Sequence, residues 1–260
     1  MEIPIYQVDA FASRLFAGNP AAVCPLESWL PDEQLQSIAA ENNLSETAFF
    51  VPFADGYNLR WFTPTVEVDL CGHATLASAF VILREFTPDR SAVRFKTRSG
   101  ELMVTREGDL LAMDFPSRPP AAYENDTALL DALGWKPEAV LAARDYLVVY
   151  RSEQEVLALR PNMKQLSLLD RFAVIVTAPG NDCDFVSRFF APSKGVPEDP
   201  VTGSAHCTLI PYWAKRLNKT SLHARQVSAR GGELWCEDRG DRVSIAGKSV
   251  LYMKGSIFVD

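Results

Sequence analysis

RWFTP, at residues 60–64, recurs as RFFAP at residues 188–192, and this repeat decides the fold. The two copies begin 128 residues apart, and the matches that follow them are 131 or 132 residues apart. The other matches keep the same order along the chain: Gly72 with Gly203, each before an apolar stretch, RSGEL at 98–102 with RGGEL at 230–234, and Gly-Asp at 108–109 with 240–241. Several matches in the same order, with a spacing that drifts by only four residues, indicate an internal duplication.

Each copy is predicted to contain short strands and one apolar helix. The helix that begins at Gly72 carries no charge from Ala74 to Leu83, so it is expected to be buried on every side. A second such helix is predicted over residues 204–217, with a kink at Pro211. The sequence therefore predicts an α+β fold of two pseudo-symmetric halves, each a curved, mostly antiparallel sheet around a central helix.

The predicted halves are residues 1–117 and 118–260, with the last strand, about 251–260, expected to pack on the first half. Both central helices start at turns of small residues, around Gly72 and Gly203. If the halves face each other, the free N–H groups of both helix starts can bind a carboxylate in the cleft between them. The chemistry is therefore expected in that cleft.

Composition excludes several classes of function. The chain has 260 residues, 47% hydrophobic and 23% charged, with a net charge of −7 and dispersed Lys and Arg, which argues against nucleic-acid binding. We expect no secretory signal and no membrane span, because the N-terminus lacks a basic-then-apolar pattern and no apolar run is long enough. The five cysteines are widely spaced without a Cys-x-x-Cys pair, which predicts no disulfide framework, no metal and a cytoplasmic protein.

Three polar residues are candidates for chemistry. His73 stands at a helix start, where it is either a buried histidine that caps its helix or an acid or base facing a ligand. Asp199 precedes the second helix and is either a turn residue or a ligand-facing carboxylate. Glu46 opens an apolar strand, where it is either a solvated strand end or a carboxylate suited to proton transfer.

Cys71 and Asn19 are weaker candidates. Cys71 precedes the first helix, and its repeat partner is Thr202, so the paired thiols of a two-cysteine racemase are missing. A single thiol there is either reactive or a small apolar filler. Asn19 is typical of a turn and can also bind substrate.

Together these motifs resemble the PhzF-like family of phenazine-biosynthesis proteins. They are DAF at 9–11, GNPAAV at 18–23, NLSETAF at 43–49, RWFTP at 60–64, EVDLCGHAT at 67–75 and EDPVTGSAHC at 198–207. The resemblance implies a diaminopimelate-epimerase-like fold of two similar halves, a homodimer, and an isomerase without a cofactor.

The resemblance also implies roles for individual residues. Glu46 matches the proton-shuttling glutamate, while His73, at the helix start with Gly72, and Asp199 match residues that shape and polarise the substrate. The turn at Gly203 and Ser204 matches the one that binds the substrate carboxylate, and Asn19 and Gly72 are further substrate-binding candidates.

Three functions follow from these residues. The leading prediction is an isomerase that moves a proton on a small carboxylate-bearing substrate through Glu46. The second is an epimerase or racemase that uses the single thiol of Cys71. The third is a binding protein for small carboxylates that kept the cleft and lost the chemistry.

Overall fold

The computed structural model describes residues 1–124 and 127–260, which form two compact units. Unit 1 comprises Met1–Asp114 and Ala246–Asp260, and unit 2 comprises Phe115–Ile245. The C-terminal segment belongs to unit 1 because its strand, Ser249–Phe258, pairs antiparallel with Glu2–Ala10 at the start of the chain.

Strands dominate both units, and helices are few. The strands up to Pro116 are β1 (Glu2–Ala10), β2 (Asn19–Pro25), β3 (Glu46–Phe53), β4 (Gly56–Phe62), β5 (Glu67–Val68), β6 (Ala92–Thr97), β7 (Gly100–Glu107) and β8 (Leu110–Pro116). The later strands are β9 (Ala121–Ala122), β10 (Ala139–Ala142), β11 (Tyr146–Val149), β12 (Val174–Pro179), β13 (Phe185–Ala191), β14 (Val196–Asp199), β15 (Ser221–Gln226), β16 (Gly232–Asp238), β17 (Arg242–Gly247) and β18 (Ser249–Phe258). The α-helices are α1 (Asp32–Asn42), α2 (Gly72–Val81), α3 (Thr127–Leu133), α4 (Glu153–Ala158), α5 (Met163–Leu166) and α6 (Gly203–Leu217).

Strand pairing confirms the duplication read from the sequence. In unit 1, β1–β2 is antiparallel, β2–β3 parallel, β3–β4 antiparallel, β4–β6 parallel and β6–β7 antiparallel. In unit 2, β10–β11, β11–β12, β12–β13, β13–β15 and β15–β16 follow the same series of antiparallel and parallel pairs. The predicted fold class, a mixed α and β protein in which sheet predominates, is confirmed.

The repeated arginine explains why RWFTP and RFFAP mark the fold. Arg60 on β4 forms a two-pronged ion pair with Glu67 on β5, with nitrogen–oxygen distances of 2.7 and 2.8 Å. Arg188 on β13 forms the same pair with Glu198 on β14, at 2.7 and 2.9 Å. Such paired hydrogen bonds fix the angle of the guanidinium plane, so each short strand is held against its neighbour in the same way.

The central helix of unit 1 is buried, as its composition predicted. From His73 to Ala79 every residue of α2 is buried, and the helix continues as a π-helical turn, Ile82–Phe86. The hydroxyls of Thr75 and Ser78 donate to the carbonyls of Cys71 and Ala74, at 2.6 and 2.7 Å. These bonds satisfy polar groups that water cannot reach.

Some sequence-based boundaries were wrong. The sequence pattern by itself predicts a short strand at residues 226–228, but in the structure β15 covers Ser221–Gln226 and ends where that strand would begin. His223 and Arg225 obscured its alternation, since they occupy the half-exposed face between buried Leu222, Ala224 and Gln226. The short helices α3, α4 and α5 carried too few turns for a recognisable period. None of the helices in the described part of the chain is both long and apolar enough to cross a membrane.

Candidate functional site

Asn19 reaches the site in unit 1 through a tight turn. Gly18 has a φ of +66°, and a Cβ there would lie 2.1 Å from the carbonyl oxygen of Ala10. Only glycine fits this close approach. Asn19 then begins β2 as a fully buried residue, with its Nδ2 3.2 Å from Nδ1 of His73.

Glu46 and His73 meet because of two neighbouring elements. The parallel pairing of β2 with β3 places Glu46, the first residue of β3, opposite Ala21. His73 is the second residue of α2, and its Nε2 lies 3.1 Å from Oε2 of Glu46. The Glu46 side chain keeps 18% of its surface exposed, whereas His73 is buried.

Cys71 completes this group of four, which we call the Glu46 cluster: Asn19, Glu46, Cys71 and His73. The Cys71 Sγ is 3.5 Å from Nδ1 of His73, so the imidazole lies between a thiol on one nitrogen and a carboxylate on the other. If Nδ1 accepts from the Asn19 amide, the proton of a neutral His73 is on Nε2, the nitrogen that lies 3.1 Å from Oε2 of Glu46.

The cluster perturbs the pKa of two of its members. Burial by itself would lower the pKa of His73, but its interactions with Cys71 and Glu46 outweigh burial and hold that pKa well above the usual 6.5. Burial, with the Glu46 carboxylate beside it, raises the pKa of Cys71 to about 11. Cys71 is therefore a thiol at neutral pH, and the charge that favours the imidazolium there comes from Glu46.

The same atoms are a possible metal-binding group. One ligand atom from each of Glu46, Cys71 and His73 lies within 4.8 Å of the other two. Carboxylate, thiolate and imidazole together suit zinc. A metal would need Cys71 deprotonated, and its raised pKa opposes this at neutral pH.

The candidates from the second half lie in unit 2. Asp199 ends β14, and the Thr202 hydroxyl donates to its Oδ2. Gly203 and Ser204 are the first two residues of α6, as Gly72 and His73 are of α2. The structure thus brings Asn19, Glu46, Cys71 and His73 together in unit 1, and Asp199, Thr202, Gly203 and Ser204 into one segment of unit 2.

Gln226 supports that segment and was not predicted from the sequence. Its Oε1 accepts from the Thr202 backbone N–H at 2.9 Å, and its Nε2 donates to the Asp199 carbonyl at 2.7 Å. The side chain is buried at the end of β15. A buried glutamine at a strand end was the available signal, but the misplaced strand boundary hid it.

His206 in α6 is expected to make the unfolding free energy depend on pH. Burial lowers its pKa to about 4, and its Nδ1 lies 2.9 Å from the Thr202 carbonyl. The folded state holds His206 neutral, while an unfolded chain protonates it near pH 6.5. Its contribution is therefore present above pH 6.5 and falls by about 3 kcal/mol as pH drops towards 4.

The slope of unfolding free energy against pH tests this. Denaturant unfolding between pH 4.5 and 7 should show a flatter slope for His206→Gln than for the wild type. His223→Gln, at a half-exposed position on β15, is the matched histidine control. Equal slopes for all three proteins would contradict the prediction that the folded protein holds His206 buried and neutral.

Known proteins similar to this chain agree with the fold and the motifs. A family model described as phenazine biosynthesis-like protein, PhzC-PhzF, matches residues 8–255. The chain is 57% identical to an uncharacterised isomerase of Pseudomonas aeruginosa over 257 residues, 99% of each chain. A crystal structure of a PhzF-family protein from Enterococcus faecalis has a TM-score of 0.98 at 48% identity and covers 100% of both chains.

A more distant structure shows how far the fold extends. A predicted epimerase of Pseudomonas aeruginosa has a TM-score of 0.77 at 19% identity, covering 99% of this chain and 100% of its own. At that identity the likeness concerns the fold alone. By the family match and the close relatives, the chain belongs to the phenazine biosynthesis-like, PhzC-PhzF family.

Proposed function

We propose that this chain is a cofactor-independent isomerase that moves a proton on a small carboxylate-bearing substrate, with Glu46 as the acid and base. The observation that carries the proposal is the 3.1 Å contact between Oε2 of Glu46 and Nε2 of His73. A largely buried carboxylate beside a positioned imidazole is suited to proton transfer near neutral pH.

The chemistry divides between the members of the Glu46 cluster. The Glu46 carboxylate accepts a proton from a substrate carbon and returns it, so no external acid or base is consumed. His73 lies 3.1 Å from Glu46 and, with its raised pKa, stabilises negative charge that develops during the transfer. Asn19 holds the imidazole from its other nitrogen.

Spacing within the cluster favours a proton shift over inversion at one carbon. Inversion needs one group on each face of a planar carbon, and two groups at about 3–3.5 Å from it stand roughly 6–7 Å apart. The ligand atoms of Glu46, Cys71 and His73 lie within 4.8 Å of one another. They can therefore act from one face only, which favours returning the proton at another carbon on the same face.

The family resemblance supplies the remaining assignments in this proposal. Asp199 polarises the substrate, and Gly203 and Ser204 bind its carboxylate through the N–H groups at the start of α6. We also propose that the protein is a homodimer in the cytoplasm. Sedimentation equilibrium at several concentrations tests the dimer, and a monomer at every concentration would refute it.

Proton exchange with solvent is the direct test of this function. The protein is incubated in deuterated water with a set of small unsaturated acids and amino acids, and proton NMR follows each carbon-bound signal. We expect at least one compound to lose a signal or give an isomer only when the protein is present. If compounds bind but none exchanges, the chain is a binding protein.

An epimerase that uses Cys71 is the second candidate, since Sγ of Cys71 contacts His73 at 3.5 Å. Burial raises the pKa of this thiol to about 11, so the thiolate base it needs is scarce at neutral pH. We therefore expect Cys71→Ser to keep exchange activity within about tenfold of the wild type. The serine side chain fills a similar space and can still hydrogen-bond His73. Loss of activity in Cys71→Ser, together with iodoacetamide inactivation that substrate prevents, would instead favour the thiol mechanism.

Metal removal separates the proposed chemistry from a zinc mechanism at the same atoms. Dialysis against EDTA is expected to leave the exchange rate unchanged, because Glu46 and His73 need no ion to transfer a proton. Added zinc is expected to inhibit by occupying Glu46, Cys71 and His73, and Cys71→Ser should weaken that inhibition. Activity that EDTA abolishes and zinc restores would overturn the cofactor-independent mechanism.

A further inference from the structure

Arg144 in unit 2 makes a contact comparable to the one that Asn19 makes in unit 1. Asn19 is the first residue of β2 and contacts His73, the second residue of α2. Arg144 lies two residues before β11, the counterpart of β2, and its Nη2 is 3.3 Å from Oγ of Ser204, the second residue of α6. Each unit therefore joins a polar side chain near a strand start to the second residue of its duplicated helix.

The guanidinium of Arg144 is held in one orientation. Its Nε and Nη2 donate to the carboxylate of Asp145 at 3.0–3.3 Å, and Asp145 is 1% exposed. Its Cζ lies 4.5 Å from the centroid of the Phe172 ring. The side chain is 35% exposed, and in the described part of the chain Nη1 has no hydrogen-bond partner. A preorganised guanidinium edge with two unused donors suits an oxyanion.

Neighbouring charges favour an anion at this point. The positive charges of Arg118 and Arg171 favour the ionised form of the Asp145 carboxyl group. The Lys194 Nζ lies 5.3 Å from the centroid of the Phe172 ring, the same ring that the Arg144 guanidinium contacts. The Nη1 of Arg118 and the Nε of Arg171 are buried and lack hydrogen-bond partners among the described residues.

Two carboxylates oppose these four cations. One is Asp145, and the other is Asp170, which accepts from the Tyr146 hydroxyl at 2.6 Å. Asp199, in the same segment as Ser204, is a third carboxylate, so these groups sum to +1 on a chain whose net charge is −7.

We propose that Arg144 and Ser204 form an oxyanion-binding element that holds an acidic group of the substrate. The proposal rests on the proposed function and narrows its substrate class to compounds with a carboxylate or phosphate that a planar guanidinium can bind. It goes beyond the Ser204 turn alone, because Arg144 adds a full charge and a fixed hydrogen-bonding plane. The proposal thus assigns Arg144 to the binding of an acidic group in unit 2.

The test is an NMR titration of the full chain with acetate, succinate and inorganic phosphate at constant ionic strength. The backbone amide signals of Gly203 and Ser204 report binding at the start of α6. Arg144→Lys keeps the charge but loses the planar fork, and Ser204→Ala removes the hydroxyl without touching Asp145. Since Arg144→Lys can strain the buried Asp145, Ser204→Ala and the double variant Arg144→Gln/Asp145→Asn provide independent readings.

The expected result is saturable binding of at least one anion, with Kd raised roughly tenfold in Arg144→Lys and in the double variant, and less in Ser204→Ala. The control Arg239→Gln removes an exposed charge of unit 2 that pairs with Glu237, and it should keep the wild-type Kd. A preference for phosphate or for carboxylates identifies which acid the element binds. Titrations that fail to saturate, or variants that bind as tightly as the wild type, would overturn the proposal.

The Glu46→Gln variant separates this test from the test of the proposed function. It should bind the anion as tightly as the wild type. If Glu46→Gln loses proton exchange while Arg144→Lys keeps anion binding, the proposed function stands and this inference fails. If Arg144→Lys loses anion binding while Glu46→Gln still exchanges, the anion site stands and the Glu46 mechanism fails.

Discussion

Glu46→Gln is expected to slow proton exchange into a bound substrate by about 10²–10⁴-fold, the usual contribution of a positioned acid or base. The amide keeps the size of the carboxylate and can accept a hydrogen bond from Nε2 of His73, which lies 3.1 Å from Oε2 in the wild type. It cannot accept a proton at neutral pH. The fold should therefore persist while the chemical step is lost.

Exchange in deuterated water measures this effect, with thermal unfolding as the check on the fold. Glu41→Gln is the matched control, since Glu41 is an exposed acid near the end of α1. It should exchange at the wild-type rate. Wild-type exchange in Glu46→Gln would remove Glu46 from the mechanism, and equal losses in both variants would point to a general effect of charge.

Trp213→Ala is expected to cost about 3–5 kcal/mol of unfolding free energy, the range for deleting a large buried aromatic side chain. Trp213 is fully buried in α6 and stacks on Phe185, with ring centroids 5.6 Å apart and planes 3° from parallel. Its Nε1 donates to Oγ1 of Thr177 at 2.9 Å. The variant therefore leaves a cavity and removes the indole N–H that donates a hydrogen bond to the buried Thr177 hydroxyl.

Denaturant unfolding at pH 7, followed by circular dichroism, measures the loss. Trp135→Ala is the control, because Trp135 is 48% exposed and its removal should cost less than about 1 kcal/mol. Similar losses for the two variants would mean that Trp213 does not anchor α6. Since α6 carries Gly203 and Ser204 at its start, a loosened helix should also weaken anion binding at Ser204.

Much of the fold could be predicted from the sequence because local composition carries it. The absence of charge between Ala74 and Leu83 was enough to predict a buried helix, and the structure buries α2. The repeat of Arg60 at Arg188 indicated a duplication, and both arginines make the same ion pair with a glutamate on the next short strand. Strand ends were harder, as at residues 226–228, where partly exposed charged residues on β15 hid the alternation.

Less of the candidate site than of the fold could be predicted from the sequence. Glu46 and His73 were candidates from their positions in the sequence, and the family motifs implied their roles, yet neither motif contains the distance between them. His73 and Asn19 are 54 residues apart and meet only because Gly18 permits a close turn and β2 lies beside α2. Gln226 and Arg144 belong to no motif, and only their contacts with Thr202 and Ser204 identify them.

The sequence by itself determined the duplication, the buried helices and the residue types available for chemistry, because these depend on composition and spacing along the chain. The tertiary structure alone decided which of those residues touch. The raised pKa of His73 shows the reason: burial would lower it, and the carboxylate that helps to reverse this is Glu46, 27 residues away in the chain and 3.1 Å away in space. Electrostatic interaction depends on distance through space, which pairing of β2 with β3 and packing of α2 set.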